Sequence, residues 1–176
     1  GKMKNSFGVI HTGALRFDIA AREAEVVGEQ QRIEPLAVDE ITDEAKQLLL
    51  DLGQSMGRGD ERFGVPPAIA TMLRHPGLYR RQLELGIQLF GYGALSSRER
   101  ELAVLRVAWI CRAPNEWGEH VGNARRAGVT AEEIERVTQG SSAEGWSDHE
   151  RAILRAVEEL LGDQCIADET WSVLAS

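Results

Sequence analysis

Cysteine is scarce in this sequence. Two thiols, Cys111 and Cys165, stand in 176 residues, far apart and with no Cys-x-x-Cys between them. That excludes a disulfide framework and leads us to expect two reduced thiols in a cytosolic protein. Long apolar runs are missing too. The longest, residues 102–111, is broken by Arg106, and it falls well short of the roughly 20 residues a membrane span needs. His11, Arg16 and Asp18 interrupt the only apolar stretch near the N-terminus, so no signal peptide is expected. Positive charge is also in deficit. The net charge is −8, which removes the clustered cations that non-specific nucleic-acid binding requires. A local arginine group could still hold a small anionic substrate. Strand pairs and hairpin turns give no signal.

What is present is helical. Hydrophobic residues make up 43% and charged residues 27%, ordinary values for a globular chain able to bury a sizeable core. Residues 1–33 read as an N-terminal extension or oligomerisation arm, and residues 34–176 as one helical domain. Thr42 can cap a helix carrying the stripe Ala45, Leu48, Leu49, Leu52 and Met56. Residues 53–64, with four glycines, read as a loop. Pro66 and Pro67 suit the first turn of a short helix. Pro76 opens another, with Tyr79, Leu83, Ile87 and Phe90 on one face. Ser96 with Glu99, Thr130 with Glu133, and Ser147 with Glu150 form three capping boxes. The helix after Ser96 is expected to run to about Ala113. It is apolar nearly all round, which predicts a central, buried helix. Asp168 can start a last short one. The fold class is all-α.

One acid–histidine segment could carry chemistry. Glu116 and His120 are four residues apart, so they share a helix face. That helix starts with either Ala113 or Asn115 as N-cap, and in both cases Glu116 lies in its first turn. A histidine titrates near neutrality, and a neighbouring carboxylate can orient it. His120 is therefore the candidate acid, with Glu116 orienting it. Trp117 offers an apolar wall. Glu101 stands on the central helix among apolar residues, where an acid is costly unless paired. It either makes a salt bridge to Arg98 or Arg106 or faces a pocket. Arg106, Arg112 and Arg125 are the nearest candidate anion clamps. His11, His75 and His149 have no metal-ligand spacing, so no metal is expected.

Residues 95–108 followed by residues 115–130 resemble the core motif of the carboxymuconolactone decarboxylase family. Pro66, Pro67, Leu73, His75, Pro76 and the helix of residues 147–161 extend the resemblance over residues 32–176. It implies an alkylhydroperoxidase D-like helical bundle of about six to eight helices, assembled as a trimer or hexamer. It implies no cofactor. The alkylhydroperoxidase D branch uses Cys-x-x-Cys-x-x-x-His with an upstream relay glutamate. Laying His120 on that histidine puts the two cysteine positions at Ala113 and Glu116, and the relay glutamate at Glu101. The dithiol is lost while the glutamate and histidine remain. The resemblance thus implies a lyase acting on a small lactone or carboxylate. The alternatives are a thiol-dependent peroxidase using Cys111 and a non-catalytic homo-oligomeric binding protein.

Overall fold

The computed structural model describes residues 33–55 and 65–176, together with Ala21, Ala24 and Glu25. The expected N-terminal arm and most of the glycine-rich stretch lie outside these described residues. Among them are eight α-helices: α1 (Asp43–Ser55), α2 (Pro67–Met72), α3 (Pro76–Tyr92), α4 (Ser97–Ile110), α5 (Pro114–Arg126), α6 (Ala131–Val137), α7 (Asp148–Gly162) and α8 (Asp168–Leu174). No strand occurs among the described residues, and the fold is all-α. None of the helices is long and apolar enough to cross a membrane. The chain divides into two compact units, one within Glu29–Ala94 and one containing Leu95–Ser176.

In the first unit, Thr42 Oγ1 accepts the amide hydrogen of Ala45 at 3.2 Å and starts α1 as expected. The helix runs through Gly53 to Ser55, two residues beyond the expected start of the loop. Ile41, Ala45 and Leu48 then pack on Leu73 and Tyr79, with Leu36, Leu49, Val65, Ile69 and Leu83 around them. This core reaches only the first half of α3. Ile87 and Phe90, expected on the same buried face as Tyr79, are 39% and 52% exposed, and Leu85 and Leu89 are exposed beside them.

The second unit is built around α4, which packs on α5, α6 and α7, while α8 packs on α7. Leu102, Leu105, Ala108 and Trp109 of α4 join Trp117, Val121, Ala124, Val129, Ile134, Val137, Trp146 and Leu154 in one core. The expectation that α4 is buried all round needs correction. Val107 and Ile110, one turn apart, are 40% and 37% exposed. The helices of this unit cover only one side of α4, and that side is enough to hold the core.

All three capping boxes form. Ser96, Thr130 and Ser147 each accept from the amide three residues on, and Glu99, Glu133 and Glu150 reach back to the amide of the cap. Two of those glutamates do a second job. Arg98, in the first turn of α4, bonds Glu133 at 2.6 Å and 3.0 Å and Glu150 at 2.9 Å. One guanidinium thereby fastens the starts of α4, α6 and α7. Its hydrogen bond, first among several, lowers the Glu133 carboxyl to about 2. The folded value lies below the unfolded one, so this contribution is complete above the ordinary carboxyl range. It is lost as pH falls through it toward about 2. Arg98→Met is expected to cost about 2–4 kcal/mol near neutral pH, because it strands two half-buried carboxylates. Urea unfolding of both proteins near neutrality and in acid checks this: the gap should narrow in acid.

A candidate acid–base site

The site begins with a turn. Helix α4 stops at Ile110, three residues before the expected Ala113, with Cys111 as its C-cap. Arg112 takes φ +52°, the left-handed region. The Arg112 amide donates to the Trp109 carbonyl at 3.1 Å, and the Ala113 amide to the Ala108 carbonyl at 2.9 Å. This pair of bonds is the Schellman arrangement, which usually has glycine where Arg112 stands. A helical pattern in sequence gives no warning of a left-handed arginine, and it runs on to Ala113 where the helix itself ends at Ile110. Ala113 then serves as N-cap of α5 and Pro114 takes its first position, which decides between the two expected starts. The chain reverses, and α5 runs back along α4.

The reversal brings His120 against Glu101, 19 residues earlier in the chain. His120 Nδ1 lies 2.6 Å from Glu101 Oε2. Both side chains are enclosed, with 12% and 3% exposure. A carboxylate accepts only, so with Glu101 ionised the shared proton sits on Nδ1. Burying that carboxylate is tolerable because the ring and a cation both face it: Arg100 Nε stands 3.4 Å from Glu101 Oε1. Neither salt bridge anticipated for Glu101 forms, since Arg98 serves Glu133 and Glu150 and Arg106 serves Glu158.

Glu116 lies on the other side of the ring. Its Oε2 is 3.8 Å from His120 Nε2, and its side chain is 58% exposed. That is too long for a hydrogen bond. Glu101 thus holds the imidazole at Nδ1, while Glu116, expected to orient it, stands at the edge facing solvent. Helical spacing pointed to Glu116, because i, i+4 pairs are visible in sequence. The closer partner is set by the packing of two helices.

Trp117 is buried against Trp109, with ring centroids 5.4 Å apart and planes tilted by 54°. It belongs to the core of the second unit, and its indole nitrogen has no hydrogen-bond partner. Arg106, expected as an anion clamp, is occupied elsewhere. It bonds Glu158 at 2.9 Å and the carbonyls of Val137 and Thr138 at 2.9 Å and 3.0 Å. These contacts tie it to the end of α6. Arg112 and Arg125 are exposed. Cys111 and Cys165 are both exposed, free thiols. Among the described residues no group of three or more His, Cys, Asp or Glu side chains could hold a metal ion.

Residues 76–159 match the model of the carboxymuconolactone decarboxylase family. The match runs from α3 through most of α7 and contains Glu101, Glu116 and His120, which bears out the resemblance read from the sequence. It is narrower than the span of residues 32–176 on which that resemblance was drawn. No curated protein and no solved structure matches the chain significantly.

Proposed function

We propose that this carboxymuconolactone decarboxylase-like chain is a cofactor-independent lyase, acting on a small lactone or related carboxylate with His120 as its proton donor. The observation that carries the reading is the 2.6 Å contact between His120 Nδ1 and buried Glu101. A ring held at one nitrogen by a carboxylate has its tautomer set, and the other nitrogen is left to work. In the reaction, the carbon–carbon bond to the carboxylate breaks and carbon dioxide leaves. The electron pair passes into the conjugated lactone carbonyl as a dienolate, and Nε2–H protonates carbon. Glu116, exposed beside Nε2, returns a proton from solvent. The substrate anion is assigned to Arg112 or Arg125, both at the surface.

The absence of cysteine at Ala113 and Glu116 supports a lyase over a dithiol peroxidase, which needs a thiolate and a resolving thiol. Retained thiols fit a cytosolic setting. The exposed apolar groups of α3 and, separately in the other unit, Val107 and Ile110 support a homo-oligomer, since exposed apolar surface commonly marks an interface.

The test is carbon dioxide release from a panel of γ-lactone carboxylates, with wild-type protein and with the Cys111→Ser/Cys165→Ser double variant. Equal release by both is expected. Loss of activity with the thiols would sink the lyase reading. Glu116→Gln is expected to lower kcat about tenfold as proton resupply slows, with stability changed by less than about 0.5 kcal/mol because the side chain is exposed. Steady-state kinetics and a melting curve check both.

A further inference from the structure

Glu101 presents two oxygens to two different partners. Oε2 meets the imidazole of His120 at 2.6 Å and Oε1 meets the Arg100 guanidinium at 3.4 Å. The carboxylate is 3% exposed and Arg100 itself only 20%. An ionised carboxylate in such surroundings must be paired or it takes up a proton. A histidine alone is an unreliable counter-charge, because it becomes neutral in the range where it is meant to work. Arginine stays charged throughout.

We infer that Arg100 is a positioning residue for the acid–base pair: its permanent cation holds Glu101 as a carboxylate whether His120 is charged or neutral. This deepens the lyase reading and rests on it for its function. When His120 has given up its second proton, Glu101 still accepts from Nδ1–H, so Nε2 is the nitrogen left bare and ready to be recharged. Without Arg100 the buried carboxylate has two ways to be neutralised. It keeps a proton on both ring nitrogens, or it takes the Nδ1 proton for itself and moves the ring's proton to Nε2. Either outcome stops the cycle. The other arginines of α4 do not replace Arg100: Arg98 serves Glu133 and Glu150, and Arg106 serves Glu158. Glu116 of α5, on the far side of the ring, is itself an acid.

The test is the imidazole nitrogen spectrum of the 15N-histidine-labelled protein at about pH 8, above the ordinary range of histidine. His120 is assigned by the signal lost in His120→Gln. Wild type should show a neutral His120 ring with its proton on Nδ1 and a pyridine-type Nε2. Arg100→Met should lose most of that form to a ring protonated on Nε2 or on both nitrogens. Arg100→Lys should keep it. The double variant Arg100→Met/Glu101→Gln should restore it, because a neutral amide oxygen accepts from Nδ1–H with no charge to compensate. A purely structural role for Arg100 predicts no such restoration. The wild-type pattern persisting in Arg100→Met overturns the inference, as does a wild-type ring protonated on Nε2 or on both nitrogens. Should Arg100→Met not fold, loss of the pattern in Arg100→Lys overturns it instead. No substrate enters this experiment. A silent lactone panel with the expected spectrum would remove the lyase reading and leave the positioning role standing.

Discussion

His120→Ala is expected to lower kcat on any lactone that turns over by about a hundredfold to ten-thousandfold, the usual contribution of a positioned general acid. KM should change far less, because the ring is assigned to a proton carried in the transition state. The protein should remain folded, since His120 lies at the edge of the core and Trp117, Val121 and Ala124 make the apolar contacts of α5. Glu101→Gln provides the internal control. It keeps the shape and the acceptor for Nδ1–H, and removes the negative charge that supports the imidazolium. Its loss should exceed the roughly tenfold expected for Glu116→Gln. The order His120, Glu101, Glu116 follows from distance: 2.6 Å from ring to orienting carboxylate and 3.8 Å to the exposed one. If Glu116→Gln proved as damaging as His120→Ala, the roles read from geometry would be reversed. Rapid kinetics of carbon dioxide release, with circular dichroism to confirm folding, would decide between these outcomes.

The second large effect concerns stability. Arg106→Met is expected to destabilise the chain by about 3–5 kcal/mol, the cost of removing one partner from a largely buried ion pair. Arg106 is 12% exposed and Glu158 27%. Glu158 also accepts from the Ser141 amide at 2.9 Å and the Ser141 hydroxyl at 2.6 Å. The guanidinium also donates to the Val137 and Thr138 carbonyls at the end of α6, the first of which accepts from the Gly140 amide as well. Methionine would fill some of the space and leave the acid and both carbonyls short of partners. Gly140 provides an independent probe of the same cluster. It has φ +84°, and an added Cβ would overlap Glu158 Oε1 and the Arg106 guanidinium. Gly140→Ala should therefore cost about 3 kcal/mol or more, from left-handed backbone and displaced charges together. Urea unfolding with an unchanged m-value is the check. A loss below about 1 kcal/mol in both variants would mean the cluster is surface decoration and would return Arg106 to the candidates for binding substrate.

Sequence carried more of the fold than of the site. Capping boxes were readable because a serine or threonine and a glutamate three residues on interact within one turn, and all three formed. Pro66, Pro67, Pro76 and Pro114 marked helix starts for the same local reason. The end of α4 was not readable, since it depends on a left-handed Arg112 at a position where glycine is the usual signal. The outer half of α3 shows another limit. Its apolar spacing matches that of a buried face, yet the core of its own unit stops near Leu83. The site divides along the same line. Glu116 and His120 were paired by spacing, a local property, and turned out 3.8 Å apart. Glu101 came into view through its costly place on an apolar helix and through family resemblance. Its contact with His120 spans two helices and required the turn at residues 111–113. Arg100, next to Glu101 in sequence, gave no signal of its own.

The lyase account stands or falls on where the new carbon–hydrogen bond comes from. In heavy water, the lactone that wild-type protein decarboxylates should yield product carrying solvent deuterium at the protonated carbon. The Cys111→Ser/Cys165→Ser variant should give the same product, and His120→Ala almost none. Product free of solvent deuterium, or labelled product formed undiminished by His120→Ala, would contradict the assignment of His120 as the proton donor.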